Sequence, residues 1–440
     1  MRSCPHTDGF EKTIDLICGT MASLPDNRTG SNTQYSMQDA GLAAFSVFFM
    51  QSPSFLSAQQ AMEKRKGSSN AQTLFNVGKI PSPNQIRNLL DPVEPRELFP
   101  VYDSILGAFR EKGVLEDLRS VGGTQLIAID GTWYHSSGTI HCDNCSTKQH
   151  KDGTITYSHS AITPVIVAPG RKQVIALRPE FVVPQDGDKK QDCEIKAAKR
   201  WLAGNGEFYR TGNDTLLGDD LYAHQPFCRQ VLLHGYHFIF VCKPTSHKHL
   251  YEWIELLEPD IGIHTQTKRI KNNGKWETHI LRFANDVPLV DDENALRVNW
   301  IEHVVRIKGK QTYQNSFATD HEITPDNALE IAHAGRARWK IENENNNTLK
   351  TKGYHLEHNF GHGKQHLSSL LASMNILAFL LHTLLETGDQ AFRLIREALG
   401  ARKTFFEHAR ALTHYQCFAN WDEMMDFMLR GLELGPYDTG

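Results

Sequence analysis

Two short, mostly apolar runs that each end in acidic residues constrain the fold of this chain most strongly. The run 126–129 is followed by Asp130, and the run 215–218 is followed by Asp219 and Asp220. Short apolar runs bounded by turn residues are typical of buried strands. In an open sheet, the carboxyl ends of neighbouring strands meet at one edge, where binding sites are commonly built. The pattern therefore predicts a sheet that presents carboxylates from two strands at one edge.

The segments around these runs have a defined order of strands and helices. The predicted strands are 126–129, 154–157, 174–177, 215–218 and 238–242, and the predicted helices between them are 192–202 and 226–233. The order β-β-β-α-β-α-β is that of a ribonuclease-H-like fold, in which two parallel strands extend an antiparallel meander of three. We therefore expect an α/β protein with a ribonuclease-H-like catalytic core.

A β-rich insertion is expected within this core, over about 245–318. The segment 268–276 carries Asn273-Gly274, the dipeptide of a two-residue hairpin turn, with four cations around it. The segments 298–307 and 312–317 also have strand character. The last helix of the core then resumes at Pro325.

The helix after Pro325 presents a third acidic residue. Its pattern runs without a breaker to Gly353, and Arg338 and Glu342 lie four residues apart on one face. An ordinary surface ion pair is the simplest interpretation of that spacing. Alternatively, Glu342 joins Asp130 and Asp219 as a set of hard oxygen ligands, which suit Mg²⁺ or Mn²⁺ together with a substrate phosphate.

These acidic motifs resemble those of the DDE transposases of bacterial insertion sequences. Ile129-Asp130-Gly-Thr resembles the first motif, Leu-Gly-Asp219-Asp220-Leu-Tyr222 the second, and Arg338-Trp-Lys-Ile-Glu342 the third. The resemblance covers about 126–363. It is greatest to insertion-sequence family 4, which has a β-rich insertion and a Y-x2-R-x3-E-x6-K signature. In the second motif an aromatic residue follows the catalytic acid by three positions, which selects Asp219 over Asp220.

Two positions depart from that signature. Gly335 occupies the position of the tyrosine, and Leu349 occupies that of the lysine, so that Lys350 comes one residue late. One residue corresponds to a rotation of about 100° around an α-helix. The assignment of a phosphate-binding role is therefore firmer for Arg338 than for Lys350.

The resemblance implies a DNA transposase that cleaves strands at terminal inverted repeats and transfers them to target DNA. Asp130, Asp219 and Glu342 would bind two Mg²⁺ or Mn²⁺ ions. The implied phosphate-binding residues are Arg338, Lys350 and Lys243. Trp133 would stack on an unpaired base, although an aromatic residue at such a position more often packs in a core. A homodimer on two DNA ends is implied as well.

The length of the chain predicts more than one domain. With 440 residues, 40% of them hydrophobic, two or three domains are expected. We assign 1–121 to a helical N-terminal DNA-binding domain, 122–363 to the catalytic domain and 364–440 to a helical C-terminal region. The N-terminal helices either recognise DNA or form a small bundle with a solvated basic edge at Lys64-Arg65-Lys66.

Charge and hydropathy give weaker indications. The formal net charge of −4 gives no overall sign of nucleic acid binding, so local cationic patches must carry it. The run 367–385 is interrupted by polar residues, which favours a buried helix over a membrane span. The first residues lack an apolar signal core, and we expect a cytoplasmic bacterial protein.

The eight cysteines are scattered, which fits reduced thiols. Cys142 and Cys145, flanked by His141 and His150, have half of a zinc-site spacing, but no second CxxC follows. The histidines within 353–363 also have a spacing that suggests a metal site. The glycines in that segment favour a polar loop near DNA instead.

Three other functions remain open from the sequence. A nuclease that does not transfer strands would use the same chemistry. A domesticated or inactive transposase would bind DNA without cleaving it. A zinc-dependent protein would be built on Cys142, Cys145 and nearby histidines.

Overall fold

The computed structural model describes residues 8–30, 33–62, 69–184, 193–209, 214–257 and 262–434. The predicted basic edge at Lys64-Arg65-Lys66 and the predicted helix start at 192 lie outside these residues. The described chain has a mixed α/β fold, as the sequence predicts.

Helices make up the beginning and the end of the described chain. The first group is α1 (Asp8–Ala22), α2 (Met37–Phe49), α3 (Phe55–Met62), α4 (Asn70–Phe75), α5 (Pro83–Leu90) and α6 (Phe99–Glu111). Short 3₁₀ turns follow at Pro95–Leu98, Glu116–Leu118 and Val121–Gly123. Helix α5 begins at Pro83, where the Ser82-Pro83 dipeptide favours a helix start and Ser82 forms a capping box with Gln85.

The strands and the helices between them occupy the middle of the chain. The strands are β1 (Leu126–Ala128), β2 (Gly131–Ser137), β3 (Ser146–Gln149), β4 (Ile155–Ile162), β5 (Val165–Val167), β6 (Ile175–Ala176), β7 (Glu180–Phe181), β8 (Thr215–Gly218), β9 (His237–Val241), β10 (His264–Asn272), β11 (Lys275–Pro288), β12 (Arg297–Ile307) and β13 (Lys310–Thr319). The intervening helices are α7 (Glu194–Arg200), α8 (Glu207–Tyr209), α9 (Gln225–Leu233) and α10 (Lys248–Leu256), with a π-helical segment at Trp201–Gly206.

Within the described residues, nine strands form one mixed sheet in the order β10-β11-β12-β13-β9-β8-β1-β5-β6. Strands β1, β8 and β9 are parallel neighbours. On the other side of β1, β5 pairs antiparallel with β1, and β6 pairs antiparallel with β5. The central strands are apolar and buried, as expected where a sheet is covered on both faces.

The predicted strand 154–157 does not belong to this sheet. It forms the beginning of β4, which pairs with β2, β3 and β7 in a separate small sheet. The second strand of the meander is β5, whose three residues are all buried. Residues 155–158 have partly exposed side chains, so the period-2 pattern there reflects a solvated sheet rather than the core.

The predicted β-rich insertion extends the large sheet through β10 to β13. The turn between β10 and β11 has Asn273 at φ 46° and Gly274 at φ 78°. Two consecutive positive φ values are required by a type I′ turn, which explains the Asn-Gly dipeptide. β13 pairs with β9, so the insertion is continuous with the central strands.

The helical segment after the insertion is not a regular α-helix. It consists of α11 (Ala328–Ala337), a π-helical segment at Ile341–Asn346, and α12 (Asn347–Thr351). The C-terminal helices follow as α13 (Leu367–Gly388), α14 (Gln390–Ala398), α15 (Arg402–Tyr415) and α16 (Trp421–Gly431).

The first and last groups of helices share one apolar core. Phe49 of α2 contacts the rings of His382, Phe406 and Trp421. Buried Asn70 donates to the carbonyl oxygens of Thr413 and Gln416 and accepts from the backbone of Phe418. These bonds join α4 to the segment between α15 and α16.

Among the described residues, α13 is the one helix long and apolar enough to cross a membrane. In its most apolar window, 89% is buried inside the protein. This is the environment of a core helix in a soluble protein, in agreement with the prediction of a buried helix over 367–385.

Candidate active site at the edge of the sheet

Asp130 and Asp219 lie level with each other at the carboxyl edge of the central strands. Ala128 of β1 is opposite Leu217 of β8 in the parallel register, and the Ile129 N–H donates to the Leu217 carbonyl oxygen at 2.9 Å. Two further residues along each strand lead to Asp130 and Asp219. Because paired strands are about 4.8 Å apart, the two acids project from adjacent positions.

The electrostatics of Asp130 link it to the other predicted ligands. Burial, followed by the charge of Glu194, raises the pKa of Asp130 to about 7, although Arg338 lowers it. Asp219 and Glu342 raise it further. Interactions of this kind require nearby groups, so Asp219, Glu342 and Arg338 each lie within electrostatic range of Asp130.

Arg338 and Glu342 form the ion pair that their spacing predicts, with 2.7 Å between Nη2 and Oε1. It is not a solvated surface pair, because Arg338 is only 7% exposed. Its guanidinium also lies 5.4 Å from the ring of Trp339. The arginine therefore places a fixed positive charge beside the acids.

The segment that carries Glu342 is tied to the strand end that carries Asp130. The Thr163 N–H donates to the Asp130 carbonyl oxygen at 3.1 Å, and the Thr163 hydroxyl donates to Asn346 Oδ1 at 2.9 Å. Asn345 also donates to Asn346 Oδ1. These buried amides therefore hold the π-helical segment in position against the sheet.

Glu194, the first residue of α7, is a fourth carboxylate in the site that the sequence did not identify. Its Oε1 accepts hydrogen bonds from the Tyr222 hydroxyl at 2.6 Å and from the Gly131 N–H at 3.2 Å. Burial raises its pKa, and the charge of Asp219 adds to this increase. The only signal in the sequence is an acid at a helix start, which usually reflects the helix dipole.

The structure separates the roles of Asp219 and Asp220. The charge of Asp219 raises the pKa of both Asp130 and Glu194. The Asp220 carboxylate instead accepts from the backbone N–H of Lys243 at 2.7 Å and from the Ser246 hydroxyl. Asp220 therefore fastens the loop after β9, which agrees with the selection of Asp219 as the candidate ligand.

The remaining predicted residues lie around this edge in different environments. The side chain of Lys243 is exposed beyond the end of β9. Trp133 on β2 is 59% exposed, so it is not a core residue. Lys350 forms an ion pair with Glu357 at 2.8 Å.

The π-helical segment changes the expected position of Lys350. In a π turn the hydrogen bonds reach from residue i to i+5, so each turn holds more residues than an α turn. The rotation of about 100° that separates Lys350 from the lysine position of the signature applies only to a regular α-helix. The wider segment at Ile341–Asn346 moves Lys350 back toward the face of Glu342.

Local packing explains why position 335 is a glycine rather than the tyrosine of the signature. A Cβ at this position would lie 2.8 Å from the ring of Phe317, which is fully buried on β13. Phe317 therefore occupies the space into which a larger side chain at 335 would begin to project.

The carboxylates are arranged more openly than the tightest clusters of potential ligands. Among the described residues, three groups have ligand atoms that all lie within 4.8 Å of one another: Cys142, Cys145, His159 and His362; His279, His303 and His333; and His237, Asp320 and His321. Asp130, Asp219 and Glu342 do not form such a group. Two ions about 3.5–4 Å apart need ligands spread more widely than one ion does.

Neither histidine predicted beside Cys142 and Cys145 joins their cluster. The His141 ring stacks on Tyr157, and His150 Nε2 bonds the Thr156 hydroxyl. Their places are taken by His159 and His362, which are distant in sequence from the cysteines. The histidine spacing within 353–363 suggested a metal site but did not link His362 to Cys142 and Cys145.

Comparison with protein-family models and with curated proteins found no match to this chain. The function is therefore inferred from the geometry of the site.

Proposed function

We propose that this chain is a DNA transposase that cleaves and transfers DNA strands at terminal inverted repeats with the help of divalent cations. The observation that carries the proposal is the convergence of Asp130, Asp219 and Glu342, remote in sequence, beside buried Arg338. The strand order β6-β5-β1-β8-β9 supports it, because three antiparallel strands extended by two parallel ones are expected for a ribonuclease-H-like core.

The acids suit Mg²⁺ or Mn²⁺ on chemical grounds. Mutual repulsion contributes to the raised pKa of Asp130, and bound cations would relieve it. When bound between these carboxylates, two such ions would activate an attacking water or 3′-hydroxyl and stabilise the leaving oxygen at phosphorus.

The protein's own groups would orient the substrate around that centre. Arg338 is buried and carries a fixed positive charge, so its guanidinium suits a phosphate oxygen as a charge-assisted donor. Binding of cations by Glu342 would weaken the Arg338–Glu342 pair and free the guanidinium for the DNA. Lys243 and Lys350 would add positive charge at the rim.

A groove beside the site is suited to the DNA backbone. It lies between the hairpin and the helical segment, and its lining includes Asn272, Arg336, Trp339 and Lys340. On the hairpin, Arg269 lies 5.5 Å from the ring of Trp276, with Lys271 paired directly opposite Trp276. Cations interleaved with aromatic rings bind phosphates and bases without sequence readout.

Trp133 would stack on a base displaced from the duplex at the transposon end, and its exposure supports this role. The terminal inverted repeats would be recognised by the N-terminal helices, and two chains would act together on two DNA ends. These assignments depend on the proposed reaction.

The experiment is incubation of the purified chain with DNA carrying the ends of its own element, with Mg²⁺, with Mn²⁺ and with no divalent cation. We expect cation-dependent nicking at the ends and joined products with target DNA. Cleavage without joined products would identify a nuclease instead. DNA binding without cleavage under any condition would identify an inactive, transposase-derived binding protein.

A further inference from the structure

The cluster of Cys142, Cys145, His159 and His362 has the dimensions of a metal site. The Sγ atoms of Cys142 and Cys145 are 4.0 Å apart, and each lies 3.4 Å from His159 Nε2. His362 Nε2 is 3.5 Å from Cys145 Sγ. Tetrahedral zinc with Zn–S near 2.3 Å and Zn–N near 2.0–2.1 Å implies about 3.8 Å between two sulfurs and about 3.5–3.6 Å between sulfur and nitrogen. The separations in this cluster lie within a few tenths of an ångström of those values.

The backbone between the two cysteines forms a turn that brings a donor to one of the sulfurs. The Cys145 N–H donates to the Cys142 carbonyl oxygen at 3.1 Å, which closes a tight turn. The Cys142 N–H points at Cys145 Sγ at 3.4 Å. A backbone donor aimed at sulfur stabilises the charged form, which is the form that binds a metal.

We propose that this chain binds one Zn²⁺ through Cys142, Cys145, His159 and His362. The Cys₂His₂ set is complete, with no place left for a reacting water, so the site is structural rather than catalytic. Soft thiolates and imidazoles select zinc over the hard cations that suit the carboxylates at the sheet edge.

The position of the cluster explains what such an ion would do. The cysteines lie in the connection between β2 and β3, and β2 begins immediately after Asp130. His362 lies in the segment that follows α12 and the Glu342 helix. The Asn144 side chain donates to the Gln365 carbonyl oxygen at 2.9 Å and joins the same two segments. Zinc would therefore fasten the small sheet that carries Trp133 to the chain beyond Glu342.

The test is metal analysis of the full chain purified under reducing conditions without added metal. We expect about one zinc per chain, and after replacement by Co²⁺ we expect the visible absorption of tetrahedral cobalt with thiolate charge-transfer bands. Cys145→Ser and His362→Ala are expected to lose the metal. His362→Cys keeps a ligand atom there and is expected to retain it, which separates loss of a ligand from failure to fold.

His141→Ala and His150→Ala are the matched controls, because these histidines neighbour the cysteines in sequence but lie outside the cluster. Both are expected to retain zinc. The proposal is overturned if the reduced wild-type chain holds no zinc and binds no Co²⁺. A chain in which Cys142 and Cys145 form a disulfide would also hold neither metal. The proposal is also overturned if His141→Ala loses the metal while His362→Ala keeps it. None of these results depends on DNA cleavage.

Discussion

The Glu194 carboxylate occupies the space that a side chain on Gly131 would need, because a Cβ there would overlap Glu194 Oε2. Gly131 also donates its N–H to Glu194 Oε1 at 3.2 Å. The glycine that follows Asp130 therefore admits a second carboxylate next to it. This proximity makes Glu194 the largest charge acting on Asp130.

Replacing Glu194 should change the pH at which the site accepts divalent cations. The charge of Glu194 raises the pKa of Asp130, so Glu194→Gln should let Asp130 ionise, and bind a cation, at lower pH. Mn²⁺ binding measured by electron paramagnetic resonance between pH 5.5 and about 8 checks this. Glu302→Gln, on the distant strand β12, is the control and should leave the pH dependence of Mn²⁺ binding unchanged. A uniform loss of binding at every pH would contradict the prediction and make Glu194 a ligand.

Asp130→Asn should stabilise the protein in the absence of Mg²⁺ and Mn²⁺. The pKa of Asp130 is raised to about 7, so the folded chain holds a proton there that the unfolded chain releases near its ordinary pKa of about 4. Stability is therefore lost as the pH rises from about 4 to about 7. The free energy of unfolding of Asp130→Asn, measured by thermal unfolding, should exceed that of the wild type by an amount that grows over this pH window. The difference should reach a few kcal/mol at most and level off above the window.

Asp152→Asn is the control for that measurement, because Asp152 lies in an exposed turn. It should show no such growth between pH 4 and pH 7. An Asp130→Asn variant whose unfolding follows the wild type at every pH would rule out a strained carboxylate at this position.

Asp219→Asn and Asp220→Asn should separate catalysis from loop anchoring. Loss of a ligand should reduce cleavage of terminal-repeat DNA by at least about 100-fold. Asp220→Asn should retain most activity, because its carboxylate holds Lys243 and Ser246 rather than facing Asp130. Gel assays of end cleavage with Mg²⁺ decide between them. An inactive Asp220→Asn beside an active Asp219→Asn would reverse the assignment.

Gly335→Ala should destabilise the chain even though alanine favours helices. The propensity gain is about 0.5–1 kcal/mol, whereas a Cβ 2.8 Å from the buried Phe317 ring should cost about 1–3 kcal/mol by overpacking. Gly107→Ala, in α6 with nothing near its Cβ, should instead be neutral or stabilising. Denaturant unfolding compares the two. Phe317→Leu combined with Gly335→Ala should recover part of the loss, and a stable single Gly335→Ala would contradict the packing argument.

The sequence predicts what depends on local chemistry. The Ser82-Pro83 helix start, the Asn273-Gly274 turn and the buried runs before Asp130 and Asp219 are all found where their residue types indicate. The Arg338–Glu342 pair follows from helical spacing alone. In each case the residues that interact are close together in the chain.

The sequence did not predict features that depend on distant contacts. Glu194 reaches Gly131 and Tyr222 only once α7 packs on the sheet. His159 and His362 meet Cys145 from separate segments, whereas His141 and His150 were nearer in sequence and were predicted instead. The strand 154–157 was placed in the wrong sheet, because periodicity indicates a strand but does not identify its partners.

Asn70 binds backbone groups that follow α15, and the Trp421 ring nitrogen donates to the Leu74 carbonyl oxygen at 2.8 Å. Helix α4 is thus completed by residues that follow it by more than 300 positions. During synthesis, the buried polar groups and apolar face of α4 stay without these partners until α15 and the start of α16 have been made.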